Sequence, residues 1–231
     1  MTTKSAAAEP FPLQPSAMLR AGVEGFLRAP VALLLGGVIT FGVSMATFLP
    51  FRDRINDNPG APELVLIFVG FVLAGTASYF WHSYALDAAR GNDIDLAKPF
   101  RTLERLPAQL VASFWFWAGL LIGIPMMLIP ALIVLVFYAF YGYVVVDRPE
   151  LGGLKALGTS VRLGFGRRIA LFAIAALALM LNFIIPGMAF MIEVTAVAVP
   201  LWLALLVVTT SITMVGGAAL YDVLNEELRD G

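Results

Sequence analysis

Few side chains in this sequence have the types and spacing that chemistry requires. His82 is the only histidine among 231 residues and there is no cysteine, which excludes a multi-histidine metal site and thiolate chemistry. His82 lies in the stretch SYFWHSYAL, near the end of a long uncharged segment. An ionisable group there is a candidate proton relay. Its aromatic neighbours favour a second interpretation, a position in the aromatic belt at a membrane edge.

Two acidic residues, Asp93 and Asp95 in GNDIDL, have a spacing that could hold a divalent cation or a diphosphate. Asp95 also lies where a helix is predicted to begin, so a helix-capping role explains it equally well, and we favour that role. The sequence contains no Walker lysine, no GxSxG motif and no pair of carboxylates inside its apolar segments. We therefore predict no catalytic, cofactor-binding or metal-binding residues.

Uncharged polar residues cluster in the last apolar segment, at Thr209, Thr210 and Ser211. Such residues usually bond backbone carbonyls or bridge helices, and in a transporter they line a solute path. Asn182 lies one turn before Pro186, and we expect it to bond the carbonyls that this proline leaves free.

Composition places these residues in a membrane. Sixty per cent of the residues are apolar and 13% are charged, whereas a soluble domain is about 25% charged. Pro125 and Pro130 divide one long uncharged run into two spans. The sequence predicts an all-α, polytopic membrane protein with a disordered tail at residues 1–16. Six segments are long enough to cross a bilayer, and the first acts as a retained signal-anchor. The predicted spans are 31–50, 64–86, 108–124, 128–146, 169–185 and 194–221.

The basic residues predict the orientation. Of the 15 Lys and Arg residues, Arg52 and Arg54 lie in a predicted loop on one side, and the other 13 lie on the opposite side. The positive-inside rule makes that opposite side cytoplasmic, so we predict a protein of the cell (inner) membrane with both termini in the cytoplasm. The net charge of −1 gives no general attraction for nucleic acid.

A short amphipathic segment precedes the first, third and fifth spans. Each has apolar residues at helical spacing opposed by basic ones, which predicts helices at the cytoplasmic interface in contact with anionic lipid headgroups. The third segment supplies the candidate lipid contacts, Arg162, Arg167 and Arg168. We interpret residues 17–93, 94–148 and 149–231 as three repeats, each an interfacial helix followed by a hairpin of an outward and a return span. The apolar positions are Leu19, Val23, Phe26 and Leu27, then Leu96, Phe100, Leu103 and Leu106, then Leu154, Leu157, Val161 and Phe165.

Within residues 147–185, the stretch LKALGTSVRLGFGRRIALF resembles a group of poorly characterised bacterial six-helix membrane proteins, and so does the closing AALYDVLNEEL. A similar domain is fused to glycerophosphodiester phosphodiesterases. The resemblance implies a six-helix membrane domain. It implies no phosphodiesterase activity, because the soluble barrel and the metal carboxylates of that enzyme have no counterpart here, and no functional residue is carried over.

These observations favour a non-enzymatic membrane module that organises, assembles with or regulates lipids or membrane components. Its expected partners are anionic lipids, a membrane protein or a second copy of the chain. The alternative is a transporter or permease for a neutral or amphiphilic solute, which a helix break near mid-bilayer would favour, with Pro200 as the candidate break. An enzyme that acts on lipid headgroups through His82, Asp93 and Asp95 ranks last.

Overall fold

The computed structural model describes residues 13–51, 60–126 and 128–230. Arg52, Arg54 and residues 1–12 of the predicted tail lie outside this part of the chain. Within it there is no strand, and ten α-helices follow one another: α1 Pro15–Arg28, α2 Pro30–Phe48, α3 Ala61–Ala89, α4 Lys98–Arg101, α5 Leu106–Gly123, α6 Ile129–Phe137, α7 Tyr141–Asp147, α8 Gly153–Leu163, α9 Arg168–Gly187 and α10 Thr195–Asp230.

Six helical segments in the described residues are long and apolar enough to cross a membrane, which confirms the predicted number: Pro30–Phe51, Ala61–Ala89, Leu103–Gly123, Ile129–Asp147, Arg168–Met191 and Thr195–Arg229. The predicted turn between spans three and four is also confirmed, because α5 ends at Gly123 and α6 begins at Ile129. Leu128, just before α6, has a left-handed φ of 64°. Proline at the start of α2, α3, α5 and α6 occupies positions whose N–H needs no helical partner.

The interrupted span is not the one that the sequence suggested. Helix α10 begins at Thr195 and runs through Pro200 as one continuous helix, so Pro200 neither starts this helix nor interrupts it as a candidate break. A proline removes one hydrogen bond, and the turns on either side keep the helix continuous. Span four is the interrupted one, because α6 ends at Phe137 and α7 begins at Tyr141.

The six spans form a ring. Helix α2 packs on α3, α3 on α5, α5 on α6, α6 on α9 and α9 on α10. Helix α10 closes the ring by packing on α2 and, more extensively, on α3. Small residues permit the close contacts: Gly119 faces Val134, and Gly123 lies against the backbone of Ala131. The spacing Gly119-x-x-x-Gly123 thus lets spans three and four approach closely.

Helices α1 and α8 dock against the ring through small residues. The backbone of Gly22 on α1 meets that of Ile212 on α10, and Gly153 on α8 meets the backbone of Ala108 on α5. The second predicted amphipathic helix is much shorter than expected, because α4 covers only Lys98–Arg101. Pro107 follows closely, and the helix that contains it starts anew at Leu106.

Candidate functional site

A cavity of about 540 Å³ lies inside the ring, and all six spans contribute to its wall. Most of the lining is aliphatic or aromatic. The lining includes no Asp, Glu, Lys or Arg, and its polar members are scattered hydroxyl, amide and ring groups. Ligand cavities typically measure roughly 300–1,000 Å³ and combine an apolar wall with a few convergent polar groups. This cavity is therefore the candidate functional site.

His82 lies in the wall of this cavity. Its side chain is 7% exposed and sits inside the bundle, not on the lipid-facing surface that an aromatic-belt position would require. Its Nδ1 is 2.7 Å from the carbonyl oxygen of Ser78. The imidazole ring lies between Tyr141 and Tyr143, with its centroid 4.7 Å from that of Tyr143. Between these tyrosines the ring is pressed against Gly142, where any side chain would collide with it.

Span three contributes Trp117 to the same wall and carries two further polar residues, Gln109 and Ser113, outside the cavity lining. Gln109, which is fully buried, donates from Nε2 to the carbonyl oxygen of Gly75 at 2.9 Å. The hydroxyl groups of Ser113 and Tyr141 lie 3.3 Å apart. The indole Nε1 of Trp117 is buried and has no hydrogen-bond partner among the described residues. Trp117 thus contributes an unpaired donor to the wall, and the buried Oε1 of Gln109 is also without a hydrogen-bond partner within the described part of the chain.

The clustered polar residues of span six, Thr209, Thr210 and Ser211, have two different roles. Thr210 faces the cavity and donates to Oδ1 of Asn182 at 3.3 Å, and Asn182 in turn donates to Thr213 at 3.1 Å. The expectation that Asn182 serves Pro186 is therefore wrong, because the ring places two hydroxyl groups within its reach. Thr209 and Ser211 bond carbonyls instead: Thr209 that of Leu206 at 3.3 Å, and Ser211 that of Leu33 at 3.3 Å.

The break in span four borders the cavity and is held by one hydroxyl group from α8. Ser160 donates to the carbonyl oxygen of Phe137 at 2.8 Å and accepts from the backbone N–H of Phe140 at 3.1 Å. These are backbone groups that the interruption leaves without a helical partner. Ala139, inside the break, is exposed and also lines the cavity.

The structure does not bring His82, Asp93 and Asp95 together. Asp93 is exposed and lines a separate surface groove beside Arg28. Asp95 accepts from the backbone N–H of Ala97 at 2.9 Å and pairs with Arg101 at 3.0 Å, so it stabilises the turn that leads into α4. Among the residues that the structure describes, no three His, Cys, Asp or Glu side chains are grouped to hold a metal ion.

Charged groups instead form a network at one end of the ring, here named the basic end and defined by Arg90, Arg148 and Arg229. Arg90 bridges Asp222 at 2.6 Å and Asp147 at 2.7 Å, which ties spans two, four and six together. Hydrogen bonds to Asp222 are the main reason that the pKa of the Arg90 guanidinium is raised above its usual value, so its charge persists at any physiological pH.

The three arginines predicted to contact lipid have different environments. Arg162 is exposed. Arg167 forms an ion pair with Glu227. Arg168 lies over the rings of Phe137 and Phe165, at 4.8 and 5.2 Å from their centroids. Of the three, Arg162 is the most available to an anionic headgroup.

Sequence reasoning missed Gln109, Trp117, Gly142 and Ser160. Gln109 was recognisable in the sequence as a polar amide within an apolar span, and Gly142 as a glycine between two tyrosines. Ser160 had no such signal, because its role depends on a break more than twenty positions earlier in the chain.

No protein-family model, curated protein or solved structure matches this chain.

Proposed function

We propose that this protein is a non-enzymatic membrane module that binds one uncharged amphiphilic molecule, a lipid or a lipid-like solute, in the cavity of its ring. The observation that carries the proposal is the cavity itself, with its volume of about 540 Å³, its largely apolar wall and no charged residue in that wall. A charged ligand would enter this wall without a counter-ion, which is unfavourable in a low-dielectric interior.

The break in span four provides a route into the cavity from the bilayer. Helix α7 has seven residues, so the break lies about 10 Å from the basic end, inside the apolar part of the membrane. Ala139 in the break is exposed, and Ala175 and Ala178 of span five line the same side of the cavity. Because these side chains are small, the side of the ring between spans four and five is where we expect an acyl chain to enter.

Native mass spectrometry of the protein released gently from its membrane tests the proposal. We expect one uncharged amphiphile per chain. Replacing Ala178, which lines the cavity, with Trp fills that volume and should remove the bound molecule. The matched control is Met180→Trp on the same helix, where the side chain is 56% exposed and faces away from the cavity. A bound molecule that persists in Ala178→Trp, or one with a charged headgroup, would contradict the proposal.

Transport of the same amphiphile is a second candidate function, and the interrupted span favours it. Transporters commonly place discontinuous helices beside their substrate sites. Proteoliposomes with a fluorescent diacylglycerol in one leaflet measure this activity directly. We expect faster exchange between leaflets than in protein-free vesicles, and a return to the protein-free rate with Ala178→Trp. Exchange at the protein-free rate in the wild type would exclude transport and leave binding.

The three-hairpin repeat with interfacial helices is part of the same proposal. The repeat is supported by the packing of consecutive spans against each other. The interfacial helices are supported by α1 and α8, which contact the ring through small residues and leave larger apolar side chains exposed. Leu27 is 70% exposed and Phe165 is 73% exposed, as expected of side chains that enter the lipid. Location in the inner membrane, with both termini cytoplasmic and anionic lipids as partners, remains a prediction. Single cysteines introduced into this cysteine-free chain would test the orientation by their accessibility to a membrane-impermeant thiol reagent.

A further inference from the structure

We infer that the cavity selects an uncharged lipid with a free hydroxyl group and a carbonyl group. His82 accepts a hydrogen bond from the hydroxyl, and Trp117 donates one to the carbonyl. This inference rests on the proposed function and specifies the ligand of the same cavity. It derives from two side chains that line the cavity and that each have one nitrogen without a hydrogen bond to a described residue. These atoms are Nε2 of His82, whose Nδ1 is bonded to Ser78, and Nε1 of Trp117.

The hydrogen bond to Ser78 determines which ring nitrogen of His82 faces the ligand. A carbonyl oxygen only accepts, so the Nδ1 atom that lies 2.7 Å from it carries the proton. The ring is buried and the cavity wall holds no carboxylate to stabilise an imidazolium, so the ring is neutral. Nε2 therefore presents a lone pair, and among the described residues it has no donor. A ligand hydroxyl or amide N–H supplies the missing hydrogen bond.

Among the described side chains, Trp117 has an unpaired hydrogen-bond donor, whereas His82 has an unpaired acceptor. An indole nitrogen only donates, and the Nε1 atom of Trp117 is buried without an acceptor in the described part of the chain. Its ring is fixed by stacking on Phe71, with centroids 4.5 Å apart and an interplanar angle of 21°. Nε1 lies against Gly75, where the absent side chain leaves the indole edge room. An unpaired buried donor is unfavourable, and a ligand carbonyl oxygen would relieve this.

The positions along α3 set the spacing of the ligand groups. Gly75, beside the indole, and His82 are seven residues apart, which is about two helical turns or roughly 10 Å. Ser78 lies between them and donates to the carbonyl oxygen of Gly75 at 2.7 Å. The ligand thus needs its donor nearer the basic end and its acceptor one to two turns deeper, with hydrocarbon on the remaining apolar wall. A glycerol backbone with one free hydroxyl and ester-linked chains has this chemistry.

Four probes separate the two contacts: a diacylglycerol, its methyl ether without the free hydroxyl, the dialkylglycerol without carbonyl groups, and a phosphatidic acid with the same chains. Affinity for the full-length protein in nanodiscs is measured by titration and native mass spectrometry. For the wild type we expect the diacylglycerol to bind roughly tenfold or more tightly than either neutral analogue, because each analogue leaves a buried group unpaired. Phosphatidic acid should bind more weakly still.

Two variants assign the preferences to residues. His82→Phe should bind the diacylglycerol and its methyl ether equally well while still preferring ester over ether chains. Trp117→Phe keeps the stack on Phe71 and should show the reverse pattern: no preference for ester chains and an intact preference for the free hydroxyl. Thermal unfolding of each variant verifies that it is folded, and Met180→Trp is the variant that should match the wild type throughout.

The outcomes distinguish this inference from the function on which it rests. If the wild type binds the diacylglycerol and both neutral analogues equally well, and Ala178→Trp abolishes all binding, the selection is wrong and the proposed function stands. If His82→Phe keeps the hydroxyl preference, the assignment to His82 is wrong. If no neutral probe binds the wild type, or if phosphatidic acid binds most tightly, the proposed function fails as well.

Discussion

Replacing Ser160 with Ala should destabilise the protein strongly, although Ser160 lies outside the predicted spans. Its hydroxyl group is fully buried and bonds two backbone groups of the break, at 2.8 Å to the carbonyl oxygen of Phe137 and 3.1 Å to the N–H of Phe140. Each buried group left unpaired costs about 1–3 kcal/mol. The two together predict a loss of roughly 2–6 kcal/mol in the free energy of unfolding, towards the lower end if water enters the gap.

The assay is unfolding by a denaturing detergent, followed by tryptophan fluorescence, together with hydrogen exchange at the break. Exchange of the Phe140 amide should accelerate in Ser160→Ala, because its acceptor is gone. Thr159→Ala on the same helix is the matched control, since Thr159 makes no side-chain hydrogen bond to a described residue. That variant should stay within about 0.5 kcal/mol of the wild type.

The reasoning is refuted if Ser160→Ala unfolds with the same free energy as Thr159→Ala. It is also refuted if exchange at Phe140 is unchanged, since the amide would then have another acceptor. A loss of stability without faster exchange at Phe140 would mean that the hydroxyl acts through packing and not through the break.

Three further substitutions have predicted outcomes. Gly142→Ala should lower the free energy of unfolding by about 1–3 kcal/mol, because the new methyl group meets the His82 ring. Gly158 has open space around it, so Gly158→Ala should raise the free energy of unfolding by about 0.5–1 kcal/mol. Equal effects of the two substitutions in detergent unfolding would contradict this. Leu128→Gly should raise the free energy of unfolding by up to about 1 kcal/mol, because glycine adopts a φ of 64° without strain. A lower free energy of unfolding in the same assay would show that the backbone of Leu128 is not strained. Arg162→Gln should weaken binding to anionic vesicles by about 1 kcal/mol, and unchanged binding in a flotation assay would remove its lipid role.

The six spans and the turn between spans three and four were predictable because their causes are local. An uncharged run of about twenty residues has few stable alternatives to a membrane helix, and Pro125 and Pro130 exclude a single helix through that region. The close approach at Gly123 was predictable for the same reason, since a small residue in a span usually marks a helix contact.

The site could not be predicted because its causes are distant in the sequence. The break in span four contains no proline and depends on Ser160, which belongs to another helix. Asn182 faces two threonines of span six only because the ring brings α9 and α10 together. His82 lay in a stretch typical of a membrane edge, and only the contact with Gly142 places it inside the bundle. The resemblance to six-helix bacterial membrane proteins stays a prediction.

The contact between α1 and α10 constrains how the protein is made. Gly22 meets the backbone of Ile212, and Gly216 meets that of Met18, so α1 docks on a helix that is synthesised about 190 residues later. Until α10 inserts, the ring is open and α1 lacks its largest contact surface, although it also touches α3 and α9. A nascent chain with five spans would expose Asn182 to lipid without Thr210. Completion of the fold is therefore a late, post-insertion event, and the open intermediate is the species that membrane chaperones and quality-control proteases would meet.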